Sequence, residues 1–273
     1  MANTIGYGQG AVNNTIDYGQ GATDNTINWG KSQTLSPGGE TSITGGTSFT
    51  NQYSFDFDGT DETFIVNSAS NYAFTGDFTI MAWIKIDSIG NNYYIIDTSS
   101  SASFGNGYSF RVRTDGKIRF WSYRAASTGL NGTTVLSAGT WYHIACVHNA
   151  THNTIYVNGV QDATLNHGGG HQTSDTSRLR IGSSQLLNGY TDGHIDEAAF
   201  FGSDLSSDIS TIYNSGAPAD LSTYSPVGWF RMGDNATFTS GLSIWTMTSV
   251  GSTTNTAESR NMVEANRTTD VPT

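Results

Sequence analysis

Short runs of alternating apolar and polar residues dominate this chain from residue 53 to about residue 248. The run 78–86 places Phe78, Ile80, Ala82, Ile84 and Ile86 on one face of a strand, while Met81 and Trp83 make its other face partly apolar. Residues 108–113 alternate in the same way, Asp115-Gly116 turns the chain, and residues 118–123 return, which predicts a hairpin. A second hairpin is predicted over residues 154–165, turning at Asn158-Gly159. Further strands are expected over 141–148, 178–182, 193–201 and 227–232. Repeated strands with turn punctuation predict two packed antiparallel sheets. One stretch differs. Leu205, Ile209, Ile212 and Tyr213 follow helical spacing, with Gly216 and Pro218 beyond them, so a helix of two or three turns is expected to cap the sandwich.

The first 50 residues follow another rule. An eleven-residue unit runs from Ile5 to Thr15, repeats from Ile16 to Thr26, and begins again at Ile27. Each rung sets an Ile two positions before an aromatic: Ile5 with Tyr7, Ile16 with Tyr18, Ile27 with Trp29. Both side chains then point to one face of a short strand. Three rungs cannot bury that face alone, so residues 1–50 read as an attachment and assembly segment needing stacked neighbours or a partner surface. A homo-oligomer is expected, a trimer foremost. A flexible low-complexity tail is the alternative.

Composition narrows the function classes. The 273 residues suffice for one large all-β domain plus this appendage, and 32 Gly against 4 Pro suits many tight turns. Twelve Lys plus Arg against 23 Asp plus Glu give a net charge of −11, which repels phosphate backbones and argues against nucleic-acid binding. The lone cysteine, Cys146, excludes an intrachain disulfide and reads as a small buried hydrophobe. No apolar run approaches membrane-spanning length, so no membrane insertion is expected. The start lacks the basic and apolar regions of a signal peptide, which leads us to expect synthesis and assembly in a cytoplasm.

The strands also occur in a telling order. Trp141-Tyr-His143-Ile-Ala-Cys-Val147, Ile155-Tyr-Val-Asn158-Gly159, Leu179-Arg-Ile-Gly182, and His194-Ile-Asp196-Glu197-Ala-Ala-Phe200 precede Leu205-Ser206 and the short helix. Together with the opening Phe55-Asp-Phe57-Asp58-Gly59, they resemble the laminin G-like branch of the concanavalin A-like lectin/glucanase superfamily. The resemblance implies a β-jelly-roll sandwich over residues 51–250 but no particular function, because one fold hosts many. The Asn-Thr-Ile-x-aromatic-Gly-Gln-Gly units separately resemble the start of virion structural proteins of tailed bacteriophages.

Candidate chemistry is sparse. Retaining glucanases of this fold need a Glu-x-Asp-x-x-Glu strand, which the chain lacks; Asp196 and Glu197 are adjacent and expected to face opposite ways. There is no nucleophile elbow, P-loop or His-Glu-x-x-His, so no enzyme is expected. His148 with His152, and His167 with His171, have i, i+4 spacing but lie outside predicted helices and read as solvated loop residues. Acids crowd around Gly59, with Asp192 and Asp196 later in the chain. Oxygen-rich loops suit Ca²⁺, which the resemblance also implies at a sandwich rim, so Asp58, Asp61 and Asp196 are the candidate ligands. For sugars, Trp121 and Tyr123 share one face of a strand and alternate with Phe120 and Ser122; one set must enter the core, and sequence leaves open which.

The resulting expectation is a virion-associated structural and adhesion protein, a head-decoration fibre or tail-fibre component. Its partners would be itself, other virion proteins and cell-surface glycans. A glycan-active enzyme or its accessory carbohydrate-binding module, and an inert decoration protein, are the alternatives. Residues 229–232 and 244–247 are expected to complete the jelly roll near residues 53–57. Residues 251–273, with few apolar anchors, are expected to form a C-terminal surface tail.

Overall fold

The computed structural model describes residues 25–28, 32–35, 49–67, 69–99, 107–122, 128–168, 179–251 and 255–273. The chain divides into two units, Met1–Ser48 and Phe49–Thr273. In the first, strands β1 (Asn25–Asn28) and β2 (Ser32–Leu35) pair as an antiparallel hairpin. Ile27 lies in β1. The other expected assembly residues, Ile5, Tyr7, Ile16, Tyr18 and Trp29, lie outside the described residues.

The second unit is an all-β jelly roll. Its strands begin with β3 (Ser54–Asp58), β4 (Thr63–Val66), β5 (Phe78–Ile86), β6 (Tyr93–Asp97), β7 (Tyr108–Val112) and β8 (Lys117–Ser122). They continue with β9 (Thr128–Val135), β10 (Trp141–His148), β11 (His152–Val157), β12 (Val160–Asn166), β13 (Leu179–Ile181) and β14 (Asp192–Phe201). Helix α1 (Ile209–Tyr213) precedes β15 (Gly228–Phe230), β16 (Ala236–Thr239), β17 (Ile244–Thr248), β18 (Thr256–Arg260) and β19 (Arg267–Thr268). One sheet runs β12-β11-β10-β5-β14-β3-β19, with β15 also paired to β14. The other runs β16-β17-β18-β4-β13-β6-β7-β8-β9. All pairings are antiparallel.

Alternation explains the core. Phe55, Ile80, Ile84, Ile144, Cys146, Ile195 and Phe200 of the first sheet meet Phe64, Ile96, Phe110, Phe120, Ile181 and Trp245 of the second. The expected hairpins form at their turns, and Asn158 and Gly159 both take positive φ, as a two-residue primed turn requires. Gly193 is the glycine that the sandwich most needs. At φ 129° it brings β14 so near β5 that an added Cβ would lie 2.1 Å from the Lys85 carbonyl oxygen. The apolar outer face of β5 is also used. Met81, Ala145, Val147, Tyr156 and Phe201 form a second cluster beneath Ile209, Ile212 and Trp229. Helix α1 is shorter than expected, because Asn214 turns left-handed and ends it.

Two expectations need correction. Residues 251–273 are not a surface tail: β18 lies between β17 and β4, Met262 enters the core, and β19 pairs with β3. The strand at 244–248 belongs to the second sheet and comes near β3, as expected, through Trp245 against Phe55, while β15 pairs with β14 and the strand hydrogen-bonded beside β3 is β19. Polar strands such as Thr256–Arg260 are stabilised by their neighbours' backbones, which their own sequence does not announce. The histidine reading also changes. His148 and His167 are buried and their rings stack at 4.7 Å, while His171 lies outside the described residues.

Candidate functional site

On the second sheet the residues between core positions form an outer face, and the strand register sets them in rows. One row runs Arg180, Asp97, Ser109, Trp121, Gly129 across β13, β6, β7, β8 and β9. The next runs Tyr94, Arg111, Arg119, Asn131. Alternation adds Arg113 and Lys117 below them, so Arg111, Arg113, Lys117, Arg119 and Arg180 share one face, out of twelve Lys plus Arg in a chain of net charge −11. Arg111 and Arg119 are direct cross-strand neighbours, an arrangement that destabilises a sheet when both are charged.

Their partners are uneven. Arg111 donates to the Tyr94 hydroxyl and lies 4.9 Å over that ring. Arg113 reaches Asp115 at 3.5 Å. The Arg119 guanidinium lies against Gly129, where any Cβ would fall 2.4 Å from its terminal nitrogen, and its buried Nε has no hydrogen-bond partner. Burial, then Arg111 and Arg113, pull the Arg119 pKa below its ordinary value, but a guanidinium remains charged at neutral pH. This is a concentration of cationic side chains beside aromatic ones.

Tyr94 joins that face to a cleft of about 520 Å³ lined by Gly59, Asn91, Asn92, Tyr94, Asn188, Gly189 and Tyr190, among others. Amide and phenol groups of this kind donate and accept as sugar hydroxyls require. Asp97 holds the cleft's outer loop. Its carboxylate accepts bonds from the Gln185 N–H at 2.7 Å and from Ser99, and the Gln185 side chain donates back to the Asp97 carbonyl oxygen at 2.8 Å. Burial pushes the Asp97 carboxyl up to about 6, against these hydrogen bonds and Arg111. The folded chain therefore holds this proton more tightly than the unfolded chain. The contribution is fully present below pH 4 and is lost as pH rises through 6, a change on the order of 2–3 kcal/mol. Asp97→Asn should remove this component: the stability difference between wild type and variant, from urea midpoints, should change by that amount between pH 4 and 7. A pH-independent difference would count against it.

The residues singled out in the sequence are distributed as follows. Phe120 enters the core and Trp121 takes the outer face with the arginines, where it is largely buried; Tyr123 lies outside the described residues. Asp58, Asp61 and Asp196 do not form one site. Asp58 pairs across from Asp192, four residues before Asp196 on β14, a separation of about 13 Å at strand rise. Asp58 accepts from the Thr60 N–H, and Asp61 is exposed, its carbonyl oxygen taking a bond from Asn261. Asp196 is fully buried and bonded to Asn51 at 2.7 Å. Nor do Asp196 and Glu197 face opposite ways. A bulge with Glu197 at φ 49° puts both between core-facing Ile195 and Ala198, and Glu197 binds Trp229 and Arg231 outside the core. Burial and their mutual repulsion push the Asp196 carboxyl up.

The sequence reading missed the arginine face. The signal was present, since Arg111, Arg113, Lys117 and Arg119 alternate with core residues around one hairpin in an acidic chain.

Comparison with known proteins agrees with this architecture. No curated protein sequence matches the chain. A Bacteroides ovatus protein, provisionally named a carbohydrate binding protein, shares the fold with TM-score 0.60 at 16% identity, over 89% of this chain and 68% of its own. A pentraxin from Limulus polyphemus (TM-score 0.46, 19% identity, 60% of this chain and 82% of that one) is also similar. So is a sialidase carbohydrate-binding module from Ruminococcus gnavus (TM-score 0.49, 11% identity, 59% and 97%). The family model described as concanavalin A-like lectin/glucanases superfamily matches residues 58–209, more than half of the sequence. With its two-sheet jelly roll, the chain belongs to the concanavalin A-like lectin/glucanases superfamily.

Proposed function

We propose that this protein is an adhesion and display component whose jelly roll binds glycans, acidic ones foremost, through the Arg111–Arg119 face and the adjoining cleft. The observation that carries this reading is Arg119, a partly exposed arginine whose buried Nε has no hydrogen-bond partner, beside a second arginine and near Tyr94 and Trp121. A carboxylate or sulfate on a sugar would pair with the Arg119 guanidinium by charge-assisted hydrogen bonds. Binding rather than catalysis suits the chain, because Asp196 and Glu197 are both buried and engaged in other hydrogen bonds. Residues 1–50 would hold many copies on a larger particle, a tailed-phage virion by the resemblance of the repeat, as a homo-oligomer. Display in many copies compensates for weak single sites.

The test is a glycan array probed with the full chain. The fold relative from Bacteroides ovatus makes glycans the first ligands to try. Carboxylated and sulfated glycans should bind in preference to neutral ones, more weakly at high salt, and Arg119→Ala should reduce binding at least about tenfold, as loss of a charge-assisted contact does. Binding unchanged in that variant, or no glycan binding at all, would reject the proposed face. Mass spectrometry of purified phage particles checks the display role, which fails if the chain is missing from them.

A further inference from the structure

At the opposite sheet, three strands bring together groups far apart in sequence. His194 on β14 lies directly across from Asp56 on β3 and from Lys85 on β5, and Asp87 follows β5 at the same end. The His194 side chain is only 10% exposed. Its Nδ1 is 3.6 Å from Asp56 Oδ1 and 4.0 Å from Asp87 Oδ1, and makes no hydrogen bond. One ligand atom from each of the three residues falls within 4.8 Å of the others. The other ring nitrogen, Nε2, faces Asp270 Oδ2 at 3.8 Å. Asp270 is itself held by Lys85 and, at 2.9 Å, by the Trp141 indole N–H. Asp192, bonded to Ser88 at 2.6 Å, adds a further carboxylate nearby.

We infer that Asp56, Asp87 and His194 form a binding site for a first-row transition cation of the Zn²⁺ class. A buried imidazole nitrogen without a hydrogen bond, facing two carboxylates, is unfavourable alone and becomes a ligand when a cation enters. The Asp270 carboxylate, 3.8 Å from Nε2, lies on the side where ligating histidines generally have an outer partner. Lys85 is drawn to Asp270, away from the Nδ1 side. Ligand atoms around such an ion at 2.0–2.2 Å lie roughly 3–3.5 Å apart, so closure requires a contraction of about 1 Å. Asp56 and Asp87 are each about half exposed, which leaves them room to move. Imidazole among the ligands selects a transition ion over Ca²⁺, which takes oxygen. The site is separate from the arginine face and does not depend on glycan binding.

The experiment is titration of the metal-stripped full chain with Zn²⁺ and, separately, Ca²⁺, followed by calorimetry and thermal unfolding. One Zn²⁺ should bind per site and raise Tm reversibly to chelator, with Co²⁺ giving a visible ligand-field spectrum, while Ca²⁺ should not substitute. His194→Gln should abolish the effect and Asp87→Asn should weaken affinity at least about tenfold. Asp87 is half exposed, so that variant folds and keeps the test decisive if His194→Gln does not. Zn²⁺ binding unchanged in Asp87→Asn, an equal response to Ca²⁺, or no Zn²⁺ response would overturn the site.

Discussion

A chain ending at Gly251 should fail to fold. The truncation removes β18 from between β17 and β4, leaving the β16–β17 hairpin with no strand to join it to the rest of its sheet. It also removes Met262 and Ala257 from the core and β19 from the edge of β3. Exposed apolar side chains and three unpaired strand edges, on β17, β4 and β3, then favour aggregation. Domains are typically stable by only about 5–15 kcal/mol, which leaves little margin for losing a strand paired on both edges. The measurement is soluble expression and circular dichroism of chains ending at Gly251 and at Thr273. Native-like unfolding by the shorter chain would show that these strands are dispensable.

Trp245→Ala should destabilise the full chain by about 3–5 kcal/mol, the range for deleting a large buried aromatic. Trp245 is 1% exposed and packs edge-on against Phe55 at 5.1 Å and beside Phe238 at 5.1 Å, joining the two sheets. Its indole N–H donates to the Val263 carbonyl oxygen at 2.8 Å, and Arg267 lies 5.0 Å over its ring. One side chain thus ties the core to the segment that leads into β19, and the change leaves a cavity and an unpaired carbonyl oxygen. Urea unfolding gives the value directly. A loss below about 1.5 kcal/mol would mean that the site collapses around the smaller side chain.

The two predictions concern a region that the sequence reading placed wrongly, and the cause is physical. Residues 255–260 read Asn-Thr-Ala-Glu-Ser-Arg, with neither β-branched density nor a marked alternation. Their strand exists because the edges of β17 and β4 need backbone partners, and β4 lies almost 200 residues away along the chain. The same applies to β14. Its motif pointed to the family, but the bulge at Glu197, which turns two acids to one side, comes from its pairing with β5 and β15.

Sequence alone determined the all-β class, both primed-turn and Asp-Gly hairpins, the core faces of β5 and β7, the burial of Cys146 and the family. These rest on period-two alternation and turn chemistry, which act over a few residues and are written locally. Tertiary structure decided which face of Ile118–Trp121 enters the core, since Trp121 makes the second face partly apolar and only the opposing sheet chooses between them. It also decided that Arg111 and Arg119 stand side by side near Tyr94, and that Asp56, Asp87 and His194 meet at one end of a sheet. Strand register fixes such neighbours. It is set by the packing of two whole sheets, so no short window of the chain contains it.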